Sequence, residues 1–254
     1  MRKIMMAGNW KMNKKSTELS GFFETFSKEA SLNEESLAKV DILFAVPFTL
    51  LESSQKLANK SGIQIASQNI NENESGAFTG EISHHMLSDI GIKATLIGHS
   101  ERRQYYNESD ESVANKVVTA QKNGLLAVAC VGELLEEREG GKTSEVVTRQ
   151  VNAFLDKIDS TDNLVIAYEP VWAIGTGKTA TPEMAQEVHA LIRGLVNIKF
   201  GQESSDKMQI LYGGSAKPSN IDELLSQPDI DGGLVGGASL KPLDFAQMVR
   251  SGLK

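Results

Sequence analysis

The sequence predicts an α/β protein, a closed parallel (β/α)8 barrel forming one domain over residues 1–254. Three observations carry this. Eight short apolar runs recur along the chain, amphipathic helical patterns lie between most of them, and no linker or low-complexity stretch breaks the rhythm. Strands that read as near-continuous apolar runs are buried on both faces, the condition of a parallel sheet covered by helices. Eight such units favour closure over an open doubly wound sheet, and barrels of this length run as single domains.

The runs fall at 4–8, 40–46, 63–67, 94–98, 125–131, 164–168, 208–212 and 232–236. After the first come Asn9 and Lys11, then a helix stripe of Leu19, Phe22, Phe23 and Phe26 spaced i, i+3, i+4, i+7, with Ser16 ahead of it as a start signal. The fourth run leads to His99, followed by Ser100, Glu101 and Arg102 as the first turn of a helix. Gly124 fits the position just past a helix end, and the run behind it carries Cys130, the one cysteine, read as a small buried hydrophobe. Val147, Val151, Phe154, Leu155 and Ile158 form a further helical stripe. The sixth run stops at Glu169, because Pro170 cannot continue a ladder. Beyond it, Val171, Trp172, Ala173 and Ile174 with Gly175 and Gly177 have the composition of a mobile cover, although Trp172 could equally plug a gap in the core. Thr181 and Pro182 read as cap and first residue of a helix bearing Ala185, Val188, Ile192, Leu195 and Val196. The last two runs are followed by Gly213, Gly214 and Ser215, and by Gly236 and Gly237.

In a closed barrel the loops after the strands open on one face, where catalytic groups collect. Asn9, Lys11, His99 and Glu169 then converge opposite glycines that expose backbone N–H groups, which suit an anion. Each residue has an ordinary reading too. Lys11 could be a solvated lysine, although Trp10 and Met12 make an apolar setting for a free turn; His99 could be a packed, hydrogen-bonded histidine; the glycines could serve tight turns. At the start of a helix, His99 feels the positive end of the peptide dipoles, which disfavours its protonation. His84 and His85 are adjacent, so on a helix they point apart; they are expected to be surface residues and a poor metal pair.

Composition narrows the partners. With 26 Lys and Arg against 33 Asp and Glu, net −7, the chain lacks the basic footprint of a nucleic-acid binder. No apolar run is long enough for a signal peptide or membrane span, and a lone cysteine forms no internal disulfide, so a cytoplasmic protein is expected. Two motif matches fail. Gly177-Lys178-Thr179 resembles the end of a phosphate-binding P-loop, but Trp172 occupies the position of its first glycine. The Gly175–Ala180 match to a dinucleotide fingerprint begins six residues past Glu169, and no acid closes the next strand.

Six segments carry a resemblance over essentially the whole chain: GNWKMN at 8–13, GAFTGEIS at 76–83, IGHSERR at 97–103, AYEPVWAIGTGKTATPE at 167–183, YGGS with KPSN at 212–220, and LVGGASL at 234–240. In these the chain resembles the triosephosphate isomerases, TIM-barrel enzymes that interconvert dihydroxyacetone phosphate and glyceraldehyde 3-phosphate without metal or cofactor. The resemblance implies Glu169 as base, neutral His99 as electrophile, and Lys11 and Asn9 as partners of the substrate oxygens. It puts Gly175, Ser215, Gly236 and Gly237 where phosphate is bound, and Tyr212 and Ser215 where a closed lid is latched. It also implies a homodimer in which the loop from Asn69 to Gly80, with Thr79 near its end, enters the neighbouring subunit. Phe78, His84, His85 and Ala216 depart from the family pattern, outside the catalytic positions.

The residues support that chemistry without the resemblance. Moving a carbonyl between adjacent carbons needs a carboxylate to carry the proton and donors ready for the enediolate oxygens. Two alternatives stay open at this level: another cofactor-free sugar-phosphate barrel enzyme, and a barrel that binds without catalysis.

Overall fold

A computed structural model describes residues 2–59, 61–174 and 180–254; Gly175, assigned above to the phosphate, lies outside the described residues. Eight strands close into a barrel in sequence order: β1 (Ile4–Asn9), β2 (Val40–Ala45), β3 (Ile63–Ser67), β4 (Ala94–Ile97), β5 (Leu126–Val131), β6 (Leu164–Tyr168), β7 (Ile210–Tyr212) and β8 (Gly232–Val235). Every neighbouring pair is parallel, and β1 closes on β8 through Met5↔Gly232 and Ala7↔Leu234. All eight runs are strands, some with trimmed ends. Leu125 is lost to the end of the preceding helix, where its N–H bonds the Ala120 carbonyl, and Met208 to a helix cap through Ser204.

Twelve helices are described. They are α1 (Leu19–Glu29), α2 (Glu34–Lys39), α3 (Leu51–Ala58), α4 (His84–Asp89), α5 (Ser100–Tyr106), α6 (Asp110–Lys122), α7 (Leu135–Glu139), α8 (Thr143–Leu155), α9 (Pro182–Phe200), α10 (Gln202–Lys207), α11 (Ile221–Leu225) and α12 (Pro242–Ser251). Thr181 caps α9, its side chain accepting from the Met184 N–H at 3.2 Å, and Gly124 follows α6 with φ +70°. Ser16 does not cap α1: residues Ser16–Glu18 form a 3-10 turn that delays the α-helix to Leu19.

Side-chain alternation divides the core in two. Met5, Ala7, Leu43, Ala45, Ala66, Ala94, Leu96, Val128, Cys130, Val165, Ala167, Leu211 and Leu234 form one buried cluster, the filling of the barrel. Residues of opposite parity, such as Met6, Ile42, Phe44, Ile166 and Tyr168, pack with the helices in the second. The same period of two, run one step past the filling, delivers Asn9 above Ala7 and Glu169 above Ala167 to the upper rim.

One corner of the outer layer positions the loop after β1. Trp10 is fully buried among Phe22, Phe23 and Phe44, with its ring centroid 4.9 Å from that of Phe22 in an edge-to-face contact. Its indole N–H donates to the Ser239 carbonyl at 3.2 Å, tying this loop to the 3-10 turn Gly237–Leu240 after β8. Met12 is 96% exposed, so the apolar setting inferred for Lys11 comes from Trp10 alone.

Candidate active site

Lys11 takes a backbone conformation rare for a side-chain-bearing residue, φ +52°, at a cost of about 1–3 kcal/mol. Asn9 helps hold it there: its Oδ1 accepts from the Lys11 N–H at 3.0 Å. Gln68, one step beyond β3 and in phase with Ala66, braces both, its amide reaching Asn9 Oδ1 at 3.3 Å, the Lys11 carbonyl at 2.8 Å and the Ala45 carbonyl at 3.2 Å. With the Asn9 oxygen engaged, its Nδ2 is the donor available to the cavity that Asn9 lines. The Lys11 ammonium lies 2.5 Å from Glu101 Oε1. Glu101 thus pairs with Lys11 across the barrel mouth, not with the arginines that follow it, since Arg102 pairs with Glu108 at 3.2 Å and Arg103 with Asp110 at 2.6 Å.

His99 is set by the turn between β4 and α5. Gly98 precedes it with φ +72°, and a Cβ there would lie 2.8 Å from a Val113 methyl, so only glycine makes the turn without strain. His99 itself caps α5, its Nδ1 accepting from the Glu101 N–H at 3.2 Å. A ring nitrogen that accepts carries no proton, which assigns the hydrogen of the neutral imidazole to Nε2. Nε2 lies 3.0 Å from Glu169 Oε1.

Glu169 is 2% exposed, and its other oxygen accepts from the Ser100 N–H at 2.9 Å. Burial pushes its pKa up, but the facing His99, by charge and hydrogen bond, the Ser100 amide and the Lys11 charge together leave it below the ordinary carboxylate value. For His99, burial pushes down and is outweighed by the Glu169 charge and hydrogen bond, with a smaller contribution from Glu101; its pKa ends above the ordinary imidazole value. This differs from the depression expected from the helix start alone. A full carboxylate at 3.0 Å outweighs the partial charges of one short helix.

A cavity of about 320 Å³ brings together Asn9, Lys11, His99, Glu169, Ser215, Gly236 and Gly237, so every described residue assigned from the sequence to catalysis or substrate binding reaches it, while Tyr212, assigned to the lid latch, does not line it. Gly236 passes close to Lys11, a Cβ built on it falling 3.6 Å from Lys11 Cε. Ser239 folds back onto Gly236, its hydroxyl donating to that carbonyl at 2.7 Å. Gly213 is a packing requirement, because a Cβ would stand 2.7 Å from Glu169 Cγ. Tyr212 is buried beside Gly214, with its phenol pushed up to about 12 by desolvation. Ile174 also lines the cavity.

Glu133 is a residue that no sequence pattern singles out. It is fully buried, and its Oε1 accepts from the Tyr168 hydroxyl at 3.0 Å and the Trp172 indole N–H at 3.0 Å, anchoring the first residues of the loop after β6. Cys130 is free and fully buried, its thiol pushed well up by burial first and then by the Glu169 charge, as fits a small hydrophobe. The two adjacent histidines correct an expectation. They do not point apart: at the start of α4 their ring centroids lie 4.0 Å apart, and His84 is buried while only His85 is exposed.

The triosephosphate isomerase family model matches residues 4–252. Among curated relatives, the triosephosphate isomerase of Solibacter usitatus is 49% identical over 251 residues, 98% of this chain and 99% of that protein. That of Fusobacterium nucleatum is 48% identical over 254 residues, 99% of this chain and all of the relative, and that of Bacteroides fragilis is 47% identical over 250 residues, 98% of each. A match of this extent leaves no part of the barrel unaccounted for, and the chain belongs to the triosephosphate isomerase family.

Proposed function

We propose that this chain interconverts dihydroxyacetone phosphate and D-glyceraldehyde 3-phosphate, with Glu169 as base and His99, Lys11 and Asn9 as the donors to the substrate oxygens. The observation that carries it is the contact of Glu169 with His99 in a cavity that Lys11 also lines. Without substrate, base and electrophile satisfy each other. A ligand whose oxygen takes the hydrogen bond of His99 Nε2 releases the carboxylate to turn to carbon. Glu169 then removes a proton from the carbon beside the carbonyl and returns it to the neighbouring carbon, while the hydroxyl proton moves from one oxygen to the other by way of His99 Nε2, and the negative charge gathered on oxygen meets Lys11, Asn9 and the His99 N–H.

His99 acts as the neutral imidazole. Its raised pKa depends on Glu169 lying against it; once the carboxylate swings to substrate, burial, the largest influence, depresses it together with Lys11, against the smaller opposing charge of Glu101. The Glu101 N–H on Nδ1 further favours the neutral form, since an imidazolium cannot accept there. The phosphate lies on the loops of Ser215, Gly236 and Gly237, where backbone amides and the nearby Lys11 suit a dianion; Gly175 joins them by resemblance. General base catalysis is worth about 10²–10⁴-fold and each preorganised donor about 10²–10³-fold. No metal or cofactor enters this scheme.

The chain is read as a cytoplasmic homodimer. Among the described residues no helix is long and apolar enough to cross a membrane. Met12, Phe48, Phe78, Tyr105 and Tyr106 are exposed on the segments that follow β1 to β4, as is Met86 in α4, and exposed apolar side chains of this size are what a second copy would cover. A sedimentation mass of one chain at micromolar concentration would refute the dimer.

Glu169→Gln tests the activity. Turnover in a coupled assay with glyceraldehyde 3-phosphate falls by at least about 10²-fold, while a phosphate-bearing enediolate mimic still binds. Retained turnover overturns the assignment, and a sugar-phosphate substrate of another class turned over faster overturns the substrate.

A further inference from the structure

We propose that Glu74, His84 and His85 form a site for a borderline divalent cation of the zinc class, linking the loop after β3 to the start of α4. One ligand atom from each of the three lies within 4.8 Å of the others. The imidazole rings are 4.0 Å apart, and His85 Nε2 is 4.0 Å from Glu74 Oε2. The sequence offered no such pairing, because adjacent residues inside a helix diverge. These two are instead the first residues of α4, entered from the extended backbone of Ser83.

A second observation is independent of the clustering. His84 is 2% exposed, and its Nε2 is buried without a hydrogen-bond partner among the described residues. Buried polar atoms in folded proteins are almost always partnered, and an orphan marks a missing water or ion.

The donor set selects the ion. Two imidazoles and a carboxylate suit zinc, copper or nickel, whereas magnesium and calcium want oxygen alone. Zinc bonds of about 2.0–2.2 Å put tetrahedral ligands roughly 3.4 Å apart. His84 is fixed by burial, so the closing movement falls to His85 and Glu74, whose side chains are 66% and 73% exposed and free to turn without disturbing the core. Water completes the coordination. The bound ion closes the loop carrying Glu74 onto α4 and stabilises that region of the folded chain.

The test is calorimetric titration of metal-stripped, full-length protein with zinc chloride, beside His85→Ala and Glu74→Gln. Both altered side chains lie at the surface of the single chain, and each variant is first matched to wild type in melting curve and sedimentation mass without metal, because Glu74 belongs to the loop assigned to the dimer contact. Wild type is expected to bind one ion per chain with a rise in melting temperature, and to show no response to magnesium chloride. Each variant is expected to bind at least about 10- to 100-fold more weakly, the loss that even an outer-shell substitution causes. Absence of saturable one-to-one binding overturns the proposal. So does either variant binding as tightly as wild type, which would send the ion to His99 and Glu169 or elsewhere.

Discussion

Glu169 and His99 hold each other before any substrate arrives, Oε1 lying 3.0 Å from Nε2 while the other carboxylate oxygen takes the Ser100 N–H. Their protonation is therefore linked to stability. The Glu169 pKa is lowered from an ordinary 4.5, so its contribution is present above pH 4.5 and lost as pH falls through the folded-state value. The His99 pKa is raised from 6.5, so its contribution is present below pH 6.5 and lost as pH rises through the folded-state value. Both contributions are present between pH 4.5 and 6.5. The melting temperature of wild type relative to Glu169→Gln is expected to be most favourable in that window and to decline on either side. A difference that stays flat from pH 4 to 9 would show that the pair does not titrate as a unit.

Gly213→Ala separates positioning from stability. The added methyl meets Glu169 Cγ at 2.7 Å and the Tyr168 carbonyl at 3.1 Å, so the carboxylate side chain must shift. Misplacing a reacting group by about 1 Å costs roughly 10²-fold. The expected outcome is a fall of that order in kcat with KM changed far less, because the residues assigned to the phosphate are untouched. Wild-type kcat in a folded Gly213→Ala protein would mean that the resting contact does not constrain the working position of the base.

What could be read from the sequence and what could not follows from the range of each cause. Strand identity depends on local apolar runs, and all eight were visible. Asn9 and Glu169 were visible because a polar residue at the end of such a run is conspicuous. Gln68 was not picked out, although it sits in phase with Ala66 just as Asn9 does with Ala7; a rim glutamine has no pattern of its own until the Lys11 carbonyl is brought beneath it. Glu133 gave no signal, since its partners Tyr168 and Trp172 are 35 and 39 residues away along the chain. The sign of the His99 shift was beyond the sequence for the same reason: the helix start is local, while the carboxylate that outweighs it comes from β6.

Glu133 yields the prediction that best tests how the loop after β6 is anchored. Its Oε1 serves the Tyr168 hydroxyl and the Trp172 indole, while its Oε2 is buried without a partner among the described residues. Glu133→Leu leaves the buried Tyr168 hydroxyl without this acceptor, at about 1–3 kcal/mol, and takes from Trp172 its hydrogen bond to this side chain. At about 2–4 °C per kcal/mol for a chain of this size, the melting temperature should fall by several degrees. Glu133→Gln keeps an acceptor of the same length and gives up only the long 3.9 Å ion pair with the part-exposed Arg138, so it should melt close to wild type. Turnover should follow the same order, because Trp172 begins the segment that leads to Ile174 at the cavity wall. Equal melting temperatures for the two variants would mean that the hydrogen bonds to Glu133 do not hold the loop, and that packing around Tyr168 does.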